Sequence, residues 1–320
     1  MLEIEYERKI RTLVKHAWDQ EIDWPQVSAW LDNFSGDFLD RSDERVYGLF
    51  ALSKFMYFGR RLIREMLRSL YRDHFESPLL QRIRRNLRGS RDIKLIRDLY
   101  RQELEATRFI GVGNPSESGA HLLYYFRQVN RLPKELFSDI AGAFQPAVDR
   151  KTGEAFLMPK DSAVTRYVFF DDLVGSGTQV ALYLTQNLAD IRKSTSNIDI
   201  RHMSLFSTTR GLEKMNEPSL FDGNSICLFE LDETYKAFEP ESRYFSRPPS
   251  WFDMADMRNM VQGYGERLKP GMSLGYKNAQ VLLGFTHNTP DNSPPIFWDE
   301  GHLASWKPVF LRYDKNYGGI

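Results

Sequence analysis

Two adjacent carboxylates, Asp171 and Asp172, stand just before a run of small and hydroxyl residues, Gly175-Ser176-Gly177-Thr178. The apolar run Tyr167-Val168-Phe169-Phe170 leads into them, and the chain continues with apolar positions Val180, Leu184 and Leu188 at helical spacing. The order reads as strand, acidic step, small-residue loop, helix. A loop of Gly, Ser and Thr lets backbone N–H groups and hydroxyls converge on a phosphate at a helix N-terminus, where the macrodipole favours negative charge. Carboxylates would repel that phosphate, so their natural partners are sugar hydroxyls or a Mg²⁺ ion bridging to the ligand. Together these residues ask for a ribose 5-phosphate. A Walker A loop is excluded, since no Gly-Lys-Ser/Thr ending is present. A haloacid-dehalogenase start is excluded because Leu173 stands where a second Asp is needed. The plain alternative is a tight strand-to-helix turn with two solvated acids.

The pattern of four apolar residues, Asp-Asp, an apolar residue and a small Gly/Thr loop resembles the phosphoribosyl-pyrophosphate (PRPP) motif of type I phosphoribosyltransferases. The resemblance implies that Asp171 and Asp172 hold the ribose 2- and 3-hydroxyls as the catalytic pair and contact Mg²⁺, directly or through water. It also implies that Gly175, Ser176, Gly177 and Thr178 cradle the 5-phosphate. A second strand, loop and helix lies upstream, from Phe109 through Gly113-Asn-Pro-Ser-Glu-Ser118 to Gly119. In the family such a unit contacts the pyrophosphate, which makes Gly113, Asn114, Ser116 and Ser118 its candidate donors here. Glu117 fits only by pointing away or by helping to bind Mg²⁺; an ordinary βα loop is the alternative. Asp149-Arg-Lys-Thr-Gly153 reads as a hairpin tip. The family has a closing loop at this point, so Arg150, Lys151 and Lys160 are candidates to stabilise the leaving pyrophosphate, although surface charge at a turn is the commoner reason for such residues.

A third polar cluster, Thr286-His-Asn-Thr-Pro-Asp-Asn-Ser293, follows an expected strand over 279–285. It is either a solvated, turn-rich loop or part of a site, because such a cluster is costly to bury without partners. On the second reading His287 is a candidate catalytic base, with Asn288 and Thr289 on the acceptor side. The resembling family carries a variable hood over the acceptor.

The elements that must position these residues follow from the rest of the chain. At 320 residues and 42% apolar content it can bury a core of ordinary size. Lys+Arg and Asp+Glu are both 43, so no global charge points to nucleic acid or an anionic membrane. No apolar run approaches membrane-spanning length and the start lacks a secretory pattern, so the expectation is a cytoplasmic protein with no membrane partner. The single cysteine, Cys227, lies in an expected strand over 225–231, where core packing is the favoured role and no intrachain disulfide can form. Strands over 198–206 and 225–231, with the two motif strands, give an α/β fold: a parallel-sheet core over 105–235, a helical region over 1–104 and an irregular C-terminal hood over 236–320.

Within the helical region, 3–20 is amphipathic and Asp23 caps a second helix opened by Pro25. A long helix is expected from Asp43 to His74, another from Ser77-Pro78, and one capped by Ser90. Residues 41–108 hold 17 Lys/Arg against 9 Asp/Glu. These are either solvated helix faces with intrahelical ion pairs, or a surface for a nucleic acid or an acidic protein partner.

As a whole the chain is similar to the phosphoribosyltransferase-like proteins of bacterial conflict and antiphage defence systems. The resemblance implies a Mg²⁺-dependent transferase acting on PRPP or a related ribose 5-phosphate donor, with an unknown acceptor and a place in antiviral defence. The alternatives are a non-catalytic nucleotide or PRPP sensor, and a partner-docking subunit of a toxin or defence complex.

Overall fold

The computed structural model of the chain describes residues 2–113, 118–194, 197–302 and 305–312. Contacts divide the chain into two compact units, 1–63 with 232–320 (unit 1) and 64–231 (unit 2). The helical stretch expected over 1–104 is shared between them.

Helix α1 (Leu2–His16) and helix α2 (Trp24–Leu31) lie where the sequence pattern puts them. Asp23 caps α2, its Oδ1 accepting the Gln26 N–H at 2.8 Å, with Pro25 in the first turn. Helix α3 (Arg41–Leu52) stops well short of His74. Its expected continuation is used instead as strand β1 (Met56–Phe58), which pairs in parallel with Leu283–Phe285. Here tertiary pairing of aromatic residues overrides a helical spacing.

Helix α4 (Arg60–Tyr71) then begins with its orphan donors answered by acids from a distant loop. The Arg60 N–H donates to Glu21 at 3.2 Å and the Arg61 N–H to Asp19 at 2.9 Å. A π-helical turn, Arg72–Glu76, joins α4 to α5 (Ser77–Asn86). Helix α6 (Ile93–Glu105) is capped by Asp92, which accepts the Leu95 N–H at 3.0 Å. Ser90, expected as the cap, instead accepts the Asp92 N–H at 3.2 Å and so braces the cap residue.

Unit 2 is α/β. Along the chain come β2 (Thr107–Gly111), α7 (Ser118–Val129), β3 (Phe137–Ser138), α8 (Ile140–Ala143), β4 (Phe144–Val148) and β5 (Ala155–Pro159). After them come β6 (Arg166–Val174), α9 (Thr178–Arg192), β7 (Asp199–Thr208), α10 (Thr209–Met215) and β8 (Ser225–Leu231). Five strands form one parallel sheet in the order β3-β2-β6-β7-β8, with β6 at its centre. Strands β4 and β5 make a separate antiparallel hairpin whose tip turns at Gly153, φ 73°.

One side of the sheet is packed by Tyr167, Phe169, Val180, Leu184, Leu188 and Phe221. A chain of rings, Phe75, Phe109, Phe126 and Phe170, links α7 to the strands with centroids 5.1–5.2 Å apart. At the amino end of β6 the buried Arg166 is held by Glu103 at 2.8 Å and Asp199 at 3.0 Å. Because the strands are parallel, the acidic step and its loop sit at the opposite, carboxyl end, the usual place for a ligand.

Unit 1 is completed by α11 (Met254–Leu268) and β9 (Leu283–Phe285). Its core is aromatic, with Trp18, Trp30, Phe34, Phe50, Phe297 and Phe310 buried together. The strand expected over 279–285 shrinks to its last three residues, because Lys277, Asn278 and Gln280 adopt φ of 52°, 57° and 55°. The polar turn that follows is a packed one: Thr289 and Ser293 are fully buried, and Ser293 Oγ donates to Leu283 O at 2.6 Å. Among the described residues no helix is long and apolar enough to cross a membrane.

Candidate functional site

Strand β6 carries its apolar residues into the sheet and ends on the two acids. Asp172 is buried and Asp171 half-buried. Each turns one carboxylate oxygen onto the next peptide: the Asp172 N–H donates to Asp171 Oδ1 at 2.9 Å, and the Leu173 N–H to Asp172 Oδ1 at 2.8 Å. These bonds fix the rotamers of both side chains at the strand's end.

The loop 175–178 then turns into α9. Gly177 precedes the helix in the left-handed region, φ 68°, where a side chain would be strained. Ser176 Oγ donates to Thr178 Oγ1 at 3.0 Å, so the hydroxyls of the loop converge before the first turn of a 15-residue helix. Backbone donors of a helix start, small side chains and clustered hydroxyls are what a phosphate requires.

The end of β2 lies beside this acidic step. Gly111 is in register with Phe170, and the Val112 N–H donates to Phe170 O at 2.9 Å. A Cβ on Gly119 would lie 2.8 Å from both Phe170 O and Val112 O, so glycine alone lets α7 start over the step between the two strands. Gly113 thus follows a strand end that lies against β6 just before the acidic step, and Ser118 is the first residue of α7. Asn114 and Ser116, with Glu117, lie outside the described residues.

A third loop, to which the sequence pattern gave no role, braces the 175–178 loop from the β7 side. Thr208 Oγ1 donates to Gly175 O at 2.6 Å and accepts the Gly211 N–H at 2.9 Å. A Cβ on Gly211 would sit 2.2 Å from Gly175 O, and one on Gly177 would sit 2.9 Å from Lys214 Cγ. The aliphatic stem of Lys214 therefore lines the outer side of the 175–178 loop, its ammonium held by Glu217 at 2.6 Å. The signal was present as Ser207-Thr-Thr-Arg-Gly211 at the end of a strand, but its partner is 33 residues away in sequence.

The other candidates are placed as follows. Arg150 and Lys151 are exposed at the β4–β5 hairpin tip, where Asp149 accepts the Lys151 N–H at 2.7 Å. Backbone hydrogen bonds from Lys151 and Thr152 hold the Asp149 carboxyl below the usual carboxylate range. Lys160 donates to Ala141 O at 2.6 Å.

His287, Asn288 and Thr289 belong to unit 1. There Phe285 and Asn288 exchange backbone bonds of 3.0 and 3.1 Å, and the His287 ring stacks on Phe285 at 5.2 Å. Burial pushes the Cys227 thiol up to about 11, with Glu230 adding to the effect, which disfavours the thiolate form.

Among the described residues no group of three or more His, Cys, Asp and Glu side chains gathers as a metal cage. The Asp171/Asp172 pair nevertheless fits a hard cation such as Mg²⁺, which is ordinarily held by one or two carboxylates together with substrate phosphates and water.

The family model described as PRTase-CE matches residues 27–312. Among curated proteins the sequence finds no match. Similar solved structures include orotate phosphoribosyltransferase from Aeropyrum pernix, 16% identical, with a TM-score of 0.25 over 41% of this chain and 64% of that one. Another is the xanthine-guanine-hypoxanthine phosphoribosyltransferase of Helicobacter pylori, 14% identical, with a TM-score of 0.22 over 42% of this chain and 81% of that one. A third is the purine phosphoribosyltransferase of Pyrococcus horikoshii Ot3, 10% identical, with a TM-score of 0.23 over 55% and 90%. The chain thus spans less than two thirds of the Aeropyrum pernix enzyme. At such scores these likenesses carry no weight beside the family match.

Proposed function

Since the chain belongs to the PRTase-CE family, we propose that it binds PRPP, or a related ribose 5-phosphate donor, at the carboxyl end of β6 and transfers the phosphoribosyl group to an acceptor. The observation that carries this reading is the fixed Asp171/Asp172 pair leading directly into a hydroxyl-lined loop at the start of α9. Asp171 and Asp172 accept from the ribose hydroxyls, and residues 175–178 take the 5-phosphate. Gly113 and the start of α7 face the pyrophosphate side.

In the transfer, the bond between the anomeric carbon and the pyrophosphate oxygen breaks, and its electron pair leaves with pyrophosphate. A lone pair of the acceptor forms the new bond at that carbon, and the acceptor's proton passes to a base. Positive charge develops on the sugar and negative charge on the leaving group, so fixed carboxylates on one side and backbone donors on the other stabilise the transition state. Mg²⁺ held by Asp171 and Asp172 would supply further neutralisation of the leaving group's charge. The exposed hairpin β4–β5, with Arg150 and Lys151 at its tip, is proposed as the element that closes and excludes water.

Calorimetric titration of PRPP with Mg²⁺ into the wild type and into Asp171→Asn/Asp172→Asn tests the reading. The expected loss is on the order of 100-fold in affinity, from two charge-assisted hydrogen-bonding groups. Pyrophosphate release by the same wild-type sample supports transfer; binding without release marks a sensor. No binding by folded wild type would remove the donor assignment. A defence role is proposed on overall resemblance alone. It predicts that expression lowers phage plating and that the double Asn variant abolishes the effect.

A further inference from the structure

Helices α5 and α6 of unit 2 pack against each other, and two of their arginines are paired. Arg82 pairs with Glu103 at 2.7 Å, Glu103 also holds the buried Arg166, and Arg101 pairs with Asp98 at 3.7 Å. The outer charges differ. Arg84, Arg85, Arg88, Arg91, Lys94 and Arg97 are all exposed, and none of them makes an ion pair with another described residue. Among the described residues the expected intrahelical pairing is met on this hairpin by Arg101–Asp98, and these six cations lie outside it. Such a concentration of cations repels itself, which is unfavourable unless an anion covers it.

Helix α6 itself contributes no buried residue, and Ile93 and Leu95 stand 64% and 41% exposed among the cations. We propose that this α5–α6 face binds the phosphate backbone of a nucleic acid strand. Three observations favour that occupant. All the free cations but Lys94 are arginines, whose planar fork matches phosphate oxygens. They are spread over both helices and their connection, as a surface tracking a polyanion would be. The exposed apolar residues are two separate side chains on different sides of the helix, not the continuous i, i+3, i+4, i+7 stripe by which a protein helix or a lipid surface is gripped. Ile93, on the Lys94/Arg97 side of α6, then meets sugar and base edges brought to it by the phosphate contacts. The proposal is independent of the PRPP reading, since it concerns neither Asp171/Asp172 nor the phosphate loop.

The test is fluorescence anisotropy of the full chain with labelled single-stranded RNA, single-stranded DNA and duplex DNA of about 30 nucleotides, at about 50 and about 200 mM salt. The expected result is binding of at least one probe that weakens with salt. Arg84→Gln/Arg85→Gln/Arg88→Gln, and separately Lys94→Gln/Arg97→Gln, should each weaken it about ten-fold or more at the lower salt and flatten the salt dependence by roughly one counterion for each cation removed. The neutral substitutions lie at exposed positions, and the second variant decides the matter if the first fails to fold. Asp171→Asn/Asp172→Asn should bind the probes as the wild type does, which separates this surface from the PRPP site. No binding at the lower salt, or binding indifferent to both variants, overturns the proposal. So does stronger competition by polyglutamate than by an oligonucleotide of equal charge, which would mark a protein partner. Retention by anionic vesicles but not by the probes would mark a membrane and overturn it as well.

Discussion

His202 shows how a single side chain can report on the sheet. It lies in β7 in register with Phe169 and Ser225, fully buried, with Nδ1 bonded to Ser225 Oγ at 2.9 Å and its ring against Phe221. Burial pushes its pKa from the ordinary 6.5 down to about 3. The unfolded chain takes up the proton near pH 6.5 and the native chain does not, so the stability present above that pH is lost as pH falls through the window towards 3. Denaturant titration should show His202→Phe losing about 2 kcal/mol less than the wild type between about pH 7 and about pH 4.5; an equal loss would assign the acid sensitivity elsewhere. Gly211 offers a second single-residue test. A methyl there meets Gly175 O, so Gly211→Ala should displace the 175–178 loop and, on the proposed reading of that loop, weaken PRPP binding about ten-fold, at a stability cost of about 1–3 kcal/mol. Unchanged affinity in calorimetry would show that the loop does not need the brace.

At the scale of elements, what could be read from the sequence depended on how near the deciding partner lay. The β6–loop–α9 unit was legible because its strand, acids, glycines and helix are consecutive, and the same holds for the cap Asp23 and the turn glycine Gly153. Strand β1 was not, because Met56–Phe58 have helical spacing among their neighbours and only Leu283–Phe285, more than 200 residues on, make them a strand. The burial of Thr289, Asn292 and Ser293 in the turn 286–293 and the Thr208 brace were hidden for the same reason. Glu44 in α3 is a further case. It is wholly buried and accepts from the N–H groups of Gly36, Phe38 and Leu39 and from the Tyr264 hydroxyl at 2.7–3.2 Å, partners that lie outside its own helix. It ties α3 to the preceding loop and to α11. Glu44→Leu should therefore cost about 3 kcal/mol or more, because several buried donors lose their acceptor, whereas Glu44→Gln should cost less. Thermal unfolding of the two variants checks the order.

For the molecule as a whole, the division into units makes a prediction about autonomy. Unit 2 is one continuous segment, 64–231, with its own parallel sheet, whereas unit 1 needs both chain ends. Residues 64–231 expressed alone should unfold cooperatively in denaturant. Residues 1–63 alone should not, since Trp30 and Phe34 would lose the partners Phe297, Trp306 and Tyr264. A gradual, non-cooperative loss of signal by 64–231 would count against the division.

The aromatic core of unit 1 is also a matter of timing. On the ribosome Trp18, Trp30, Phe34 and Phe50 emerge before unit 2, and Phe297, Trp306 and Phe310, in the same core, emerge after it. At about 5–20 residues per second the early half waits for roughly ten seconds or more while the whole of unit 2 is made and can fold. Through that interval the nascent chain carries a ready-folded centre and an unburied aromatic beginning, the state in which a chaperone has most to hold.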